Sequence, residues 1–93
     1  MDNKIVKLDL FGVSCEIELQ DIDIKAFENM KELQNAGGES IDDLVNSALK
    51  LEETIKLVIG DKFPEVMKGK KRSLKTYTEI ATAFKTAMDN MKQ

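Results

Sequence analysis

The 93-residue chain has no histidine and no tryptophan, one cysteine (Cys15), one proline (Pro64) and one tyrosine (Tyr77). Without histidine it lacks the side chain that most often titrates near neutrality and most often serves as a zinc ligand or proton shuttle. A lone cysteine excludes an internal disulfide and fits a reducing cytoplasm. With no histidine to act as its base, Cys15 reads as a small buried apolar residue and not as a nucleophile. No apolar run approaches the ~20 residues that span a bilayer, and the opening M-D-N-K-I-V-K lacks the continuous apolar stretch of a signal peptide. A soluble, unprocessed chain that does not engage a membrane is expected. Positive charge is not in excess either: 14 Lys and Arg stand against 17 Asp and Glu, a net charge of −3. Nucleic acid is therefore not favoured as the main partner.

Patterning points to an α+β fold, mostly α, in one domain spanning 1–93: an N-terminal β-hairpin packed on about three main helices, with a short connector helix. Residues 1–20 alternate. Leu8 and Leu10, with Ile5 and a Val6 that looks out of phase, oppose Lys7 and Asp9; after Phe11-Gly12, Val13, Cys15, Ile17 and Leu19 oppose Ser14, Glu16 and Glu18. Two period-two runs around a glycine-containing turn form a hairpin, and its apolar face needs helices to lie on. Asp21 or Asp23 caps a helix over 23–36, with Ile24, Phe27, Met30 or Lys31, and Leu33 or Gln34 at helical spacing. Ala36-Gly37-Gly38 ends it. That glycine pair has no preceding strand and no following Gly-Lys-Ser/Thr, so it is not read as a phosphate loop.

The central helix, 40–60, organises the rest. Ser40 caps it with Asp43 at the capping-box position, and Ile41, Leu44, Val45, Ala48, Leu51, Ile55, Val58 and Ile59 form one broad apolar face. Glu52 falls near that face, which predicts a place at its edge or a subunit contact with a basic group. Leu57 points away, hinting at a second contact surface. The hairpin and the last helix are expected to cover most of the Ile41–Ile55 face, leaving Leu49, Leu57, Val58 and Ile59 for contacts between subunits.

Residues 63–69 form the connector, with Pro64 in its first turn, Gly69 at its exit and Phe63, Val66 and Met67 turned inward. Lys68, Lys70, Lys71 and Arg72 then make an exposed basic loop. Ser73 caps a helix over 73–92, on which Leu74, Tyr77, Ala81, Phe84, Met88 and Met91 recur at three and four residues, with Ile80 beside them. Such a stripe is core, or a groove for varied apolar helices to which methionine adapts its shape. The chemistry of catalysis has nowhere to start: no convergent polar constellation, no phosphate loop, no metal cluster and no cofactor site.

The hairpin K-I-V-K-L-D-L-F-G-V-S-C-E-I-E-L, the segment I-K-L-V-I-G-D-K-F-P-E-V-M-K-G and the terminal helix S-L-K-T-Y-T-E-I-A-T-A-F together resemble the small tail assembly chaperones of long-tailed phages. The resemblance extends over essentially the whole chain and lies in layout and local pattern. It implies a non-enzymatic protein of the host cytoplasm that self-associates. It also implies that the protein coats the helical tape measure protein, which it keeps soluble until tail-tube subunits polymerise around it. The client would meet Tyr77, Ile80, Phe84, Met88 and Met91. The basic loop is heavier than the family pattern. The alternative is a small phage or bacterial regulatory or inhibitory protein that binds DNA or an acidic protein through Lys68–Arg72.

Overall fold

A computed structural model of the chain describes residues 4–35 and 40–91. The fold is α+β, mostly α, with a two-stranded antiparallel hairpin ahead of three main helices. In β1 (Ile5–Leu10) and β2 (Val13–Glu18) the register sets Val6 against Ile17, Leu8 against Cys15 and Leu10 against Val13. Val6 is thus in phase and buried. Ile5, 46% exposed, shares the outer face with Lys7 and Asp9, because strand side chains alternate strictly and only the even-numbered set of β1 can face the core. Phe11 (φ 52°) and Gly12 (φ 84°) make a two-residue turn with positive φ at both positions, the geometry that matches strand twist. Phe11 adopts this costly conformation with the Lys70 ammonium 4.3 Å above its ring, so a cation–π contact fastens the turn to the basic loop.

After a 3-10 turn at Leu19–Asp21, α1 (Ile24–Asn35) begins with the Asp23 carboxylate accepting from the Lys25 amide at 2.8 Å. Its inward face is Ala26, Asn29, Met30 and Leu33; of the residues at helical spacing Met30 and Leu33 turn inward, while Ile24 and Phe27 do not. Ile24 is 73% exposed and Phe27 41%. Two things rotate the helix. Ala26, fully buried, lets the backbone come close to the core, and Asn29 satisfies its buried amide by donating to Glu53 Oε1 at 3.0 Å. The glycine pair after this helix lies outside the described residues.

α2 (Ile41–Ile59) starts at Ser40, whose hydroxyl accepts from the Asp43 amide, and closes at Gly60 with φ 56° and ψ −122°. A 3-10 turn (Gly60–Lys62), the one-turn α3 (Phe63–Val66) and a loop return the chain to α4 (Leu74–Met91). Ser73 Oγ caps α4 by accepting from the Thr76 amide at 3.2 Å.

Two apolar clusters make the core. One joins the hairpin's Leu10 and Cys15 to Ile55, Val66, Tyr77 and Ile80; the other joins Val6, Ile17, Ile22, Ala26 and Phe84. The second half of α2 feeds both, through Leu51 and Ile59 in the first and Leu57, Val58 and Ile59 in the second. Its first half does not. Ile41 is 78% exposed, Leu44 45%, Val45 49% and Leu49 52%. The expectation that the hairpin and last helix cover this face is therefore corrected: the bare end is the N-terminal one.

Geometry gives the reason. Glu32 pairs with Lys50 and Asn29 with Glu53, so α1 and α2 run antiparallel, and α1 ends at Asn35, about level with Ser47. α4 meets α2 one turn in, where Tyr77 donates to Glu52, and its later residues share clusters with Ile55, Val58 and Ile59. Residues 41–46 lie beyond the end of α1 and ahead of the Tyr77–Glu52 contact with α4.

Candidate functional site

Three features of the surface bear on function: a groove, a clasp and the bare end of α2. The groove arises because α1 and α4 each pack on α2 yet scarcely touch each other. Between them is an apolar cavity of about 390 Å³. Phe27, Met30 and Leu33 of α1 form one wall, Ile80, Phe84 and Met88 of α4 the other, and Leu51, Ile55 and Val58 of α2 the floor. Polar groups are few: Gln34, Lys85 and Thr54, whose hydroxyl already donates to the Lys50 carbonyl at 2.8 Å. A slot of this composition suits an apolar helix face or side chains, and offers little to hold a polar substrate.

The clasp is built on Glu52. Arg72 reaches across from the loop and donates Nε–H to Oε2 at 2.6 Å and a second guanidinium N–H to Oε1 at 2.8 Å. The buried Tyr77 hydroxyl donates to Oε2 as well, and the Lys56 ammonium stands 3.9 Å from Oε1. The Arg72 hydrogen bonds hold the Glu52 carboxyl down at about 2; burial opposes them, and Tyr77 and the positive charges of Arg72 and Lys56 assist. Hydrogen bonding to Glu52 in turn raises Arg72. Tyr77 is raised by burial first, and then by the neighbouring carboxylate.

Glu52, predicted at the edge of its face or against another subunit, is instead buried, and its basic partner comes from its own chain. A carboxylate so placed must be paired, and the loop brings Arg72 within reach. The basic loop is accordingly divided. Arg72 is committed to Glu52 and Lys70 lies over Phe11, while Lys68 and Lys71 stand in solvent.

The bare end of α2 makes a shallower trough of about 370 Å³ with the start of α4, where Ile41, Leu44, Val45, Ala48 and Leu49 face Leu74 and the clasp.

The residues predicted for a client fall as follows. Tyr77 is buried with its hydroxyl on Glu52; Ile80 and Phe84 are buried, and with the half-buried Met88 they line the groove. The side chain of Met91 lies outside the described residues. Of those predicted for subunit contacts, Leu49 is open. Leu57, Val58 and Ile59 are half-buried against the second cluster, so Leu57 does not project from the fold. The α1 wall of the groove was not read from sequence. Helical spacing alone does not place Phe27 at a rim; the signal that does is the Ala26, Asn29, Met30, Leu33 stripe beside it.

Among the described residues no group of His, Cys, Asp or Glu is placed to hold a metal ion, and no helix is long and apolar enough to cross a membrane. Cys15 is buried at the hairpin, where desolvation pushes its thiol up. Comparison of the chain with protein-family models, curated proteins and solved structures finds no match.

Proposed function

We propose that this protein is a tail assembly chaperone of the long-tailed phage type, acting in the host cytoplasm without catalysis. It self-associates and binds apolar helical segments of a tape measure protein until the tail tube forms. The observation that carries this reading is the groove between α1 and α4: an apolar slot of about 390 Å³ over α2 and the hairpin's Leu8 and Leu10, with room for apolar side chains from one face of a helix. Methionines on both walls, Met30 and Met88, adapt to varied side chains along a repetitive client.

Magnitudes favour weak, repeated capture. Five apolar client side chains buried at roughly 1.5–3 kcal/mol each give about 8–15 kcal/mol gross, similar to the roughly 4–15 kcal/mol cost of association. One subunit alone would hold a helix loosely. Several subunits in contact, on a client with several segments, gain by effective concentration and can still release when the tube competes.

Co-expression with a tape measure fragment tests the reading. The wild-type chain should raise the fragment's soluble fraction, and Phe27→Glu, on the exposed groove rim, should abolish that effect while the protein stays folded. A fragment that remains insoluble beside abundant wild-type chain overturns it.

The alternative, binding of DNA or an acidic protein through the basic loop, draws on fewer free cations, because Arg72 is spent on Glu52. Lys68, Lys70 and Lys71 changed to Glu separate the two readings, since that triple variant leaves the clasp intact. A wild-type chain that solubilises no client but binds DNA or an acidic protein, and loses that binding in the triple variant, favours the loop; client solubilisation retained in the variant favours the groove.

A further inference from the structure

We infer that Lys85 determines the specificity of the groove between α1 and α4: it selects helical segments that carry a carboxylate one turn from the apolar residue seated against Ala81. This deepens the reading above and rests on it, adding a charge requirement to a surface otherwise defined by apolar fit.

The groove contains a single charge. Of the residues that line it Lys85 alone is ionised, and Gln34 and Thr54 are neutral. Lys85 is exposed and makes no ion pair among the described residues, not even with Asp89 four positions on. Lys before an acid at that spacing is the less favourable order on a helix. Nearby Lys50, by contrast, is already paired with Glu32. An apolar segment laid in the groove takes water from the Lys85 ammonium and returns no partner, which costs affinity. A segment with a carboxylate there supplies a charge-assisted hydrogen bond instead. The apolar walls accept many side chains of similar size, so discrimination among clients falls to the charge.

Position on α4 fixes where that carboxylate must be. Ala81 and Lys85 are four residues apart and share the rim of the groove. Ala81 is small and half-buried, so a client backbone comes closest there, and the Lys85 stem runs along apolar surface one turn further with its charge in water. The charge also marks one end of the groove. Tyr77 meets Glu52 and Phe84 shares a cluster with Val58 and Ile59, so α4 runs in the same direction as α2 and Lys85 lies near the C-terminal end of α2. Gln34, on the antiparallel α1, lies toward the other end. A client helix with its acid near one terminus is thereby bound in one direction.

Three synthetic amphipathic peptides test this, each with one leucine stripe and, at the edge of the stripe near one end, Glu, Gln or Lys. Titrated with the full chain at low salt and followed by fluorescence anisotropy, the Glu peptide should bind about two- to fivefold tighter than the Gln peptide, and the Lys peptide most weakly. High salt should flatten the preference. Lys85→Glu should invert the order of the Glu and Lys peptides. Lys75→Glu makes the same change of net charge at an exposed position of α4 that does not line the groove, and should keep the wild-type order. Both lysines are exposed, so circular dichroism should show unchanged helix content.

Equal affinity of the Glu and Gln peptides for the wild-type chain overturns the inference, as does an inversion that Lys75→Glu produces equally well. If the peptides in those cases still bind the wild-type chain and fail to bind Phe27→Glu, the groove reading stands without the charge requirement. Peptides that bind neither chain, or both alike, remove the groove reading and this inference with it.

Discussion

Arg72 grips Glu52 through two hydrogen bonds of 2.6 and 2.8 Å, and this pair joins the loop before α4 to the middle of α2 across 20 residues of sequence. The two ends are unlike. Glu52 is 7% exposed, whereas the Arg72 side chain is 69% exposed. Breaking the pair therefore has different consequences from each side, since Arg72 can return to water and Glu52 cannot.

Glu52→Ala should destabilise the fold by about 1–3 kcal/mol, chiefly because the buried Tyr77 hydroxyl loses its acceptor. Tyr77→Phe alone should cost about 0.5–1.5 kcal/mol. In the double variant the costs should not add, because the hydroxyl orphaned by the first change is removed by the second. Urea denaturation of both singles and the double measures the coupling; strict additivity would show that the two groups act apart.

Acid should weaken the protein through the same carboxylate. Glu52 is lowered from 4.5 to about 2 in the folded chain, so its contribution is present above about pH 4.5 and is lost as pH falls through about 2. The amount is about 1–2 kcal/mol, less than the full shift implies, because the Arg72 side of the pair faces water and is screened. Urea midpoints from pH 6 to pH 2 should fall more steeply for wild type than for Glu52→Gln. Parallel curves would mean that another carboxylate governs acid unfolding.

The rotation of α1 makes adjacent residues respond in opposite ways. Ala26→Leu forces a larger side chain into a fully buried position and should cost about 1–3 kcal/mol. Phe27→Leu, one residue on at the groove rim, should change stability by less than about 0.5 kcal/mol. Thermal or urea melts of the two variants check this, and a costlier Phe27 change would place the core on the other face of the helix.

Cys15 should be a slow thiol. Its side chain is 1% exposed and burial raises its pKa, so little thiolate forms and reagent cannot reach it. Labelling with a disulfide reagent near pH 8 should be complete in denaturant and at least tenfold slower in the native chain. Fast native labelling would mean that the hairpin opens from the helices.

Local signals in the sequence determined the elements. Alternation gives the hairpin, Ser40 and Ser73 start α2 and α4, and Gly60 closes α2, because each of these acts over one turn of chain and is written in adjacent residues. The α4 stripe at Ile80, Phe84 and Met88 was legible for the same reason. The sequence could not say which side of each helix is covered. Several faces of α1 and α2 are apolar enough to be core, and the choice rests on how far the neighbours reach. Tertiary structure decided that α1 turns Ala26 and Asn29 inward, and that α1 and α4 stand apart to leave a groove. It also left Ile41 to Leu49 bare and found for Glu52 a cation at Arg72 in its own chain. The physical reason is common to all four: covering a face and pairing a charge depend on residues about 20 or more apart in sequence, whose meeting is set by helix lengths and crossings and not by any local pattern.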